Sequence, residues 1–228
     1  MNLQTPIAAQ PIDEARLDRL AEVAVKVGLR LQPGQDLLLT APVEALPLVR
    51  RIAEHAYKAG AGVITPFFSD PEITLARFRH APDASFDRAP AWLYDGMGKA
   101  FDENTARLAI VGDDPMLLSE EDAEKVGRAN KANSIAYTPA RERITGFDIN
   151  WNIVAWPGTA WARRVFPDLP VDEAVARLAG AIFAASRVDA DDAVARWEAH
   201  NAVLRERSDW LNGQNFHALH FTAPGTDL

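Results

Sequence analysis

The sequence predicts an α/β fold, a mostly parallel sheet with helices on both faces. Two observations predict it. Four short apolar runs of strand length, "DLLLTA", "GVITPFF", "RLAIVG" and "INWNIVAWPG", read as buried strands. Helix-length amphipathic segments lie between them, and a strand, helix, strand unit of that length closes as a right-handed crossover with parallel strands.

Taken in order, residues 12–27 carry Leu17, Leu20, Ala24 and Val27 at three- and four-residue steps, with Asp13 as cap and Gly28 as left-handed stop. After the first strand run, "VEALPLVRRIAEHAYKAG" is a helix that tolerates Pro47 near its start and stops at Gly60. The second strand run follows at once. "DPEITLARFRHA" places Pro71 just inside a helix behind Asp70, and "SFDRAPAWLYDGMGKAF" reads as helical throughout. After the third strand, "SEEDAEKVGRANKA" is a polar helix capped by Ser119. The fourth strand ends at Pro157, with Trp151, Ile153 and Ala155 on one face and Asn152, Val154 and Trp156 on the other. Three helices follow: "TAWARRVF", "VDEAVARLAGAIFAASR" and "DDAVARWEAHNAVLRERSDWLNG". The last has Val194, Trp197, Asn201, Leu204, Ser208 and Leu211 on one stripe and Gly213 as its stop. "FHALHF" reads as a terminal strand. The chain therefore divides into an α/β domain over residues 1–213 and a terminal strand over 214–228 that begins something further.

Composition narrows the function. The 228 residues have 48% hydrophobic and 25% charged content, enough for a sizeable core. Asp and Glu outnumber Lys and Arg, 32 to 24, and are spread along the chain, so no basic face for nucleic acid is expected. The absence of cysteine removes disulfides, thiolate nucleophiles and cysteine-ligated metals. The opening "MNLQTPIAAQPIDEAR" lacks the basic and apolar regions of a secretion signal, and no run approaches the roughly 18 apolar residues of a membrane span. A soluble cytoplasmic protein with no membrane partner is the expectation.

No motif assembles a catalytic centre. The glycines of "KAGAGVI" follow a helix and precede a strand, the reverse of a dinucleotide-binding turn, so Gly60 reads as a helix stop. Asp189, Asp191 and Asp192 lack the later ligand and glycine of a calcium loop. Asp191 as a helix cap, with Asp192 favourable beside the helix dipole, accounts for them. His217 and His220, three apart in a strand, point to opposite faces and cannot share an ion, while His200 and Glu198 lie on different faces of a helix. His55 and His80 stand apart from them. Trp151, Trp156 and Trp161 fall within eleven residues, beside Pro157 and Gly158 and followed by Arg163 and Arg164. Core packing is their ordinary role, and the wall of a cleft or interface is the functional alternative.

The pieces "WARRVFP", "DDAVARWEAHNAVLRERSDWLN" and the closing "PGTDL", together with "LQPGQDLLLTAPVEALPLVRRIAEHAYKAGAGVI", carry a resemblance over nearly the whole chain. The order is similar to the thermophilic metallo-aminopeptidase family of the aminopeptidase T and aminopeptidase S type. That resemblance implies a longer, two-domain enzyme of which this is the N-terminal domain, truncated where Gly225, Thr226, Asp227 and Leu228 match a motif near the start of the catalytic domain. It implies two divalent cations of zinc or cobalt type in that absent domain, with metal-assisted hydrolysis releasing N-terminal residues from short peptides. For this chain it implies an accessory and dimerisation role, helping to form a homodimer and to enclose the active-site cavity. No catalytic, cofactor-binding or metal-binding residue is assigned to the chain itself. Two rival readings remain: a self-standing noncatalytic α/β module that binds a partner or small molecule, and a nucleotide-dependent enzyme with a diverged phosphate loop. A reading frame that stops at Leu228 favours the first rival, and thermal stabilisation by nucleotide favours the second. Phe216, Leu219 and Phe221 are expected on a surface that the catalytic domain covers.

Overall fold

A computed structural model describes residues 12–228; the reading of the first eleven residues lies outside them. Four parallel strands form the sheet: β1 (Leu37–Pro42), β2 (Ile64–Ser69), β3 (Ala106–Val111) and β4 (Trp151–Ala155), in spatial order β2-β1-β3-β4. From the centre, the chain steps outward to β2 through α2 (Leu46–Lys58) and, in the opposite direction, from β3 to β4 through α5 (Ala123–Thr145). Right-handed crossovers in opposite directions place their helices on opposite faces. The two cores bear this out. Leu37, Leu39 and Ala41 of β1 face the larger core with Leu48 and Ile52 of α2, whereas Leu38 faces a second core with Ala140 and Ile144 of α5. The α/β reading holds, with a parallel sheet covered on both sides.

The larger core is completed by α1 (Glu14–Val23), α6 (Thr159–Val165), α7 (Val171–Ala185) and the first turns of α8 (Ala193–Gln214). The opposite face carries α3 (Pro71–His80) and α4 (Ala91–Asp102), with Phe78 and Phe86 stacked 5.1 Å apart in a small third cluster. β5 (Thr222–Ala223) and β6 (Thr226–Asp227) make a separate antiparallel hairpin, and Gly225 takes its φ of +82°.

Local chemistry explains where helices begin. Asp13 and Asp70 accept from backbone amides of their first turns, and Pro47 and Pro71 sit at the first positions of α2 and α3, where a missing N–H is harmless. Ser119 does not cap α5. Asp122 does, accepting from Glu124 and Lys125, and the helix runs on to Thr145 with Pro139 inside it. Asp192, not Asp191, caps α8. The segment read as one helix from Ser85 to Phe101 is two pieces, a 3₁₀ turn over Asp83–Asp87 and then α4, because the extended residues up to Pro90 break the run.

Glycine roles differ from expectation at two helix ends. After α1 the chain widens into a π-helical turn, Ala24–Leu29, that contains Gly28, and Arg30 takes the left-handed stop with φ 50°. Gly28 is instead a point of close approach: a Cβ there would lie 1.9 Å from the Asn152 Nδ2. At the other end of the chain, α8 passes through Gly213 and stops at left-handed Asn215. The strand read over Phe216–Phe221 does not form, and hydrogen-bonded pairing begins only at Phe221, which exchanges backbone bonds with Leu228. Strand β2 is also less buried than its apolar run implied. It is an edge strand, where Pro66 loses no ladder bond and Phe68 stays exposed.

Candidate functional site

Open parallel sheets bind ligands in the crevice at the carboxyl ends of their strands, where the strand order reverses. Here that point lies between β1 and β3, and close internal contacts crowd the neighbouring exits of β3 and β4. The chain leaving β3 at Gly112 touches the chain leaving β4 so closely that a Cβ on Gly112 would lie 2.3 Å from the Trp156 carbonyl oxygen. One on Gly158 would lie 2.0 Å from the Gly112 carbonyl oxygen. The Glu44 carboxylate accepts from the Thr159 backbone N–H at 3.2 Å, so the positive end of α6 already holds an anion from within the chain. Beside it, partial desolvation nudges the carboxyl of Asp113, a surface-exposed residue, upward, while Asp114 accepts from the Met116 amide at 2.9 Å and lies 3.8 Å from Arg164. Among the described residues, no group of three or more His, Asp or Glu side chains is placed to hold a metal ion, so the described part of this chain does not fit the metal centre of a metallo-aminopeptidase.

The residues singled out in the sequence are dispersed. His55 Nε2 lies 3.0 Å from Asp18 Oδ1, between α2 and α1; His200 meets the edge of Trp197; His220 pairs with Asp227 in the hairpin. His217 is exposed on the terminal segment and His80 ends α3. Asp189 and Asp191 are partners for Arg16 and Arg19 of α1, which ties the α7–α8 connection to the start of the fold. The three tryptophans separate as well. Trp156 is 1% exposed in the larger core, Trp161 packs against the same core, and Trp151 joins the second core on the other face, 6.1 Å from Phe147. Trp156 is a core residue rather than a wall of a cleft.

A different surface stands out. Residues 202–228 are all exposed, although they include Trp210, Leu211, Phe216, Leu219, Phe221 and Leu228. Helix α8 joins the larger core through its first turns, where Val194 and Trp197 meet it and the Trp197 indole donates to the Ser186 carbonyl at 2.7 Å, and Asn201, Leu204 and Ser208 then border a cleft with Val27, Gly28 and Arg30. Leu204 and Leu211 on its apolar stripe stay exposed outside the core. Large apolar side chains are thus exposed along one terminal arm.

Comparisons with known proteins agree with one another. The family model described as thermophilic metalloprotease (M29) matches residues 13–228. Aminopeptidase T of Thermus thermophilus is 53% identical over 212 residues, covering 93% of this chain and 52% of that protein. Aminopeptidase 2 of Geobacillus stearothermophilus is 39% identical over 212 residues, 93% of this chain and 51% of that protein. The solved structure of wild-type AmpT from Thermus thermophilus superposes with a TM-score of 0.86 at 51% identity, covering 93% of this chain and 52% of that one. The chain spans about half the length of the curated relatives it matches.

Proposed function

Because this chain belongs to the thermophilic metalloprotease (M29) family, we propose that it serves as the accessory domain of a metal-dependent aminopeptidase acting on short peptides. In this reading residues 1–213 form an N-terminal α/β domain, and residues 214–228 lead into a catalytic domain that supplies the ligands for two divalent cations. The enzyme is a cytoplasmic homodimer, and the accessory domain helps to enclose its active-site cavity.

The exposed apolar arm over residues 202–228 is the observation that carries this proposal. Side chains such as Trp210, Phe216 and Phe221 are hydrated at a free-energy cost when nothing covers them, and each is worth roughly 1.5–3 kcal/mol when fully buried. A catalytic domain continuing from the arm would cover them. Among the described residues nothing covers them, so the chain by itself is expected to self-associate through the arm. Sedimentation velocity should show association that the triple substitution Trp210→Glu, Phe216→Ser and Phe221→Ser abolishes. The melting temperature should stay nearly unchanged, since exposed substitutions usually move stability by no more than about 0.5 kcal/mol. Association that survives the triple substitution, or a chain that never associates, would contradict the arm as the covered surface.

A further inference from the structure

Away from the sheet's carboxyl edge and from the arm, α4 and α5 leave a cavity of about 480 Å³ over the face of β1 and β3 that carries Leu38 and Arg107. Arg107 is half-buried there, and its guanidinium makes no hydrogen bond or ion pair to any described residue. Every other half-buried arginine in the described chain is held. Arg16, Arg19, Arg51, Arg128 and Arg143 each pair with a carboxylate, and Arg77 donates to the Ser85 carbonyl at 2.9 Å. An arginine cannot shed its proton, so the half-buried Arg107 guanidinium keeps its charge with only solvent to meet it and is open to an anion.

The surroundings of Arg107 are arranged for an anion. Arg141 of α5 brings a second guanidinium to the same cavity, held only by the neutral oxygens of Ser134 and Thr138 at 3.4 and 3.2 Å. No carboxylate lines the cavity, in a chain whose net charge is −8. Asn130 and Asn133 add neutral amides. Leu38 and Met97 give it an apolar floor, and Tyr94 and Tyr137, with ring centroids 5.3 Å apart, give it an aromatic flank. Two cations over an apolar floor match an anionic head group on a hydrophobic body. A ligand bearing an ammonium group is disfavoured, because two guanidiniums and no carboxylate line the cavity.

We propose that the α4–α5 cavity is a binding site for a small organic anion, a carboxylate or phosphate on an apolar body, with Arg107 as its principal charge and Arg141 as the second. The site is separate from any aminopeptidase chemistry, and its test does not depend on that activity.

Isothermal titration calorimetry on the 228-residue chain, with phenylacetate, phenyl phosphate and benzylamine as probes, tests the proposal. At least one of the two anions should bind in the millimolar range or tighter, and benzylamine should not. Whichever anion binds more tightly identifies the head group. Arg107→Gln should weaken that binding by at least about tenfold, as expected for a lost charge-assisted hydrogen bond. Arg107→Lys should restore only part of it, because a point charge does not reproduce the bidentate fork. Arg196→Gln, on an exposed arginine elsewhere, should change nothing. Should Arg107→Gln fail to fold, exposed Arg141→Gln provides the same comparison. Absence of binding by both anions, equal binding of benzylamine, or affinity unchanged in both arginine variants would overturn the proposal.

Discussion

Replacing Trp156 by alanine is expected to lower the melting temperature by roughly 6–20 °C, from a loss of about 3–5 kcal/mol at roughly 2–4 °C per kcal/mol for a domain of this size. Trp156 is the largest of the fully buried side chains, and it lies where the exit of β4 meets the larger core. Its backbone is pinned too: the Trp156 amide donates to the Val111 carbonyl at 2.7 Å, and its own carbonyl accepts from the Gly158 amide at 2.8 Å. The indole Nε1, in contrast, is buried without a partner. Trp156→Phe therefore loses packing volume but also removes an unsatisfied donor, and its cost should stay within about 1 kcal/mol, well below that of alanine. Thermal denaturation of the two variants separates a packing role from a hydrogen-bonding one. Equal losses would assign the indole N–H a partner and contradict the core account.

The second large effect is expected at Gly158. An alanine there would bring its Cβ within 2.0 Å of the Gly112 carbonyl oxygen, a backbone atom that cannot rotate away. The φ of Gly158 is −56°, an ordinary value for any residue, so close approach alone makes glycine necessary here. Separating the exits of β3 and β4 would disturb the Trp156 amide bond and the Glu44 contact with the start of α6 together. A loss of about 3 kcal/mol is expected, the upper end of the range for overpacking. Gly213→Ala is the matched control. It lies inside α8 with nothing within 4 Å of its Cβ position, so it should leave stability unchanged or raise it by up to about 1 kcal/mol. Equal melting temperatures for Gly158→Ala and the unmodified chain would contradict the tight β3–β4 contact.

The parts of the fold legible in the sequence are those set by neighbouring residues. Asp13 and Asp70 as caps, Pro47 and Pro71 at helix starts, and the apolar runs of β1 and β3 each follow from chemistry within a few positions. The misread points are those where two local signals compete or where distant packing decides. Ser119 and Asp122 are both good caps, and only the turns over residues 114–121 select the second. Gly28 has the look of a helix stop, but Asn152, more than a hundred residues away, is what requires it to be small. The apolar pattern of Phe216, Leu219 and Phe221 signals burial, yet all three are exposed among the described residues.

The same division applies to function. The family was readable from contiguous segments such as "WARRVFP", because their residues lie side by side in the chain. The Arg107 cavity was not readable. Its one sequence signal is an arginine at the head of the apolar run "RLAIVG", and Arg141, Tyr94 and Leu38 reach it only through the fold.

The proposed function has residues 12–228 support aminopeptidase chemistry while the metal ligands come from elsewhere in the enzyme. The most direct test is hydrolysis of a leucyl chromogenic substrate by the purified 228-residue chain, with and without added cobalt or zinc. The account predicts no metal-stimulated turnover, because no group of three or more ligating side chains converges among the described residues. Turnover that rises with metal and disappears with a chelator would contradict it, and would place a working metal centre within this chain.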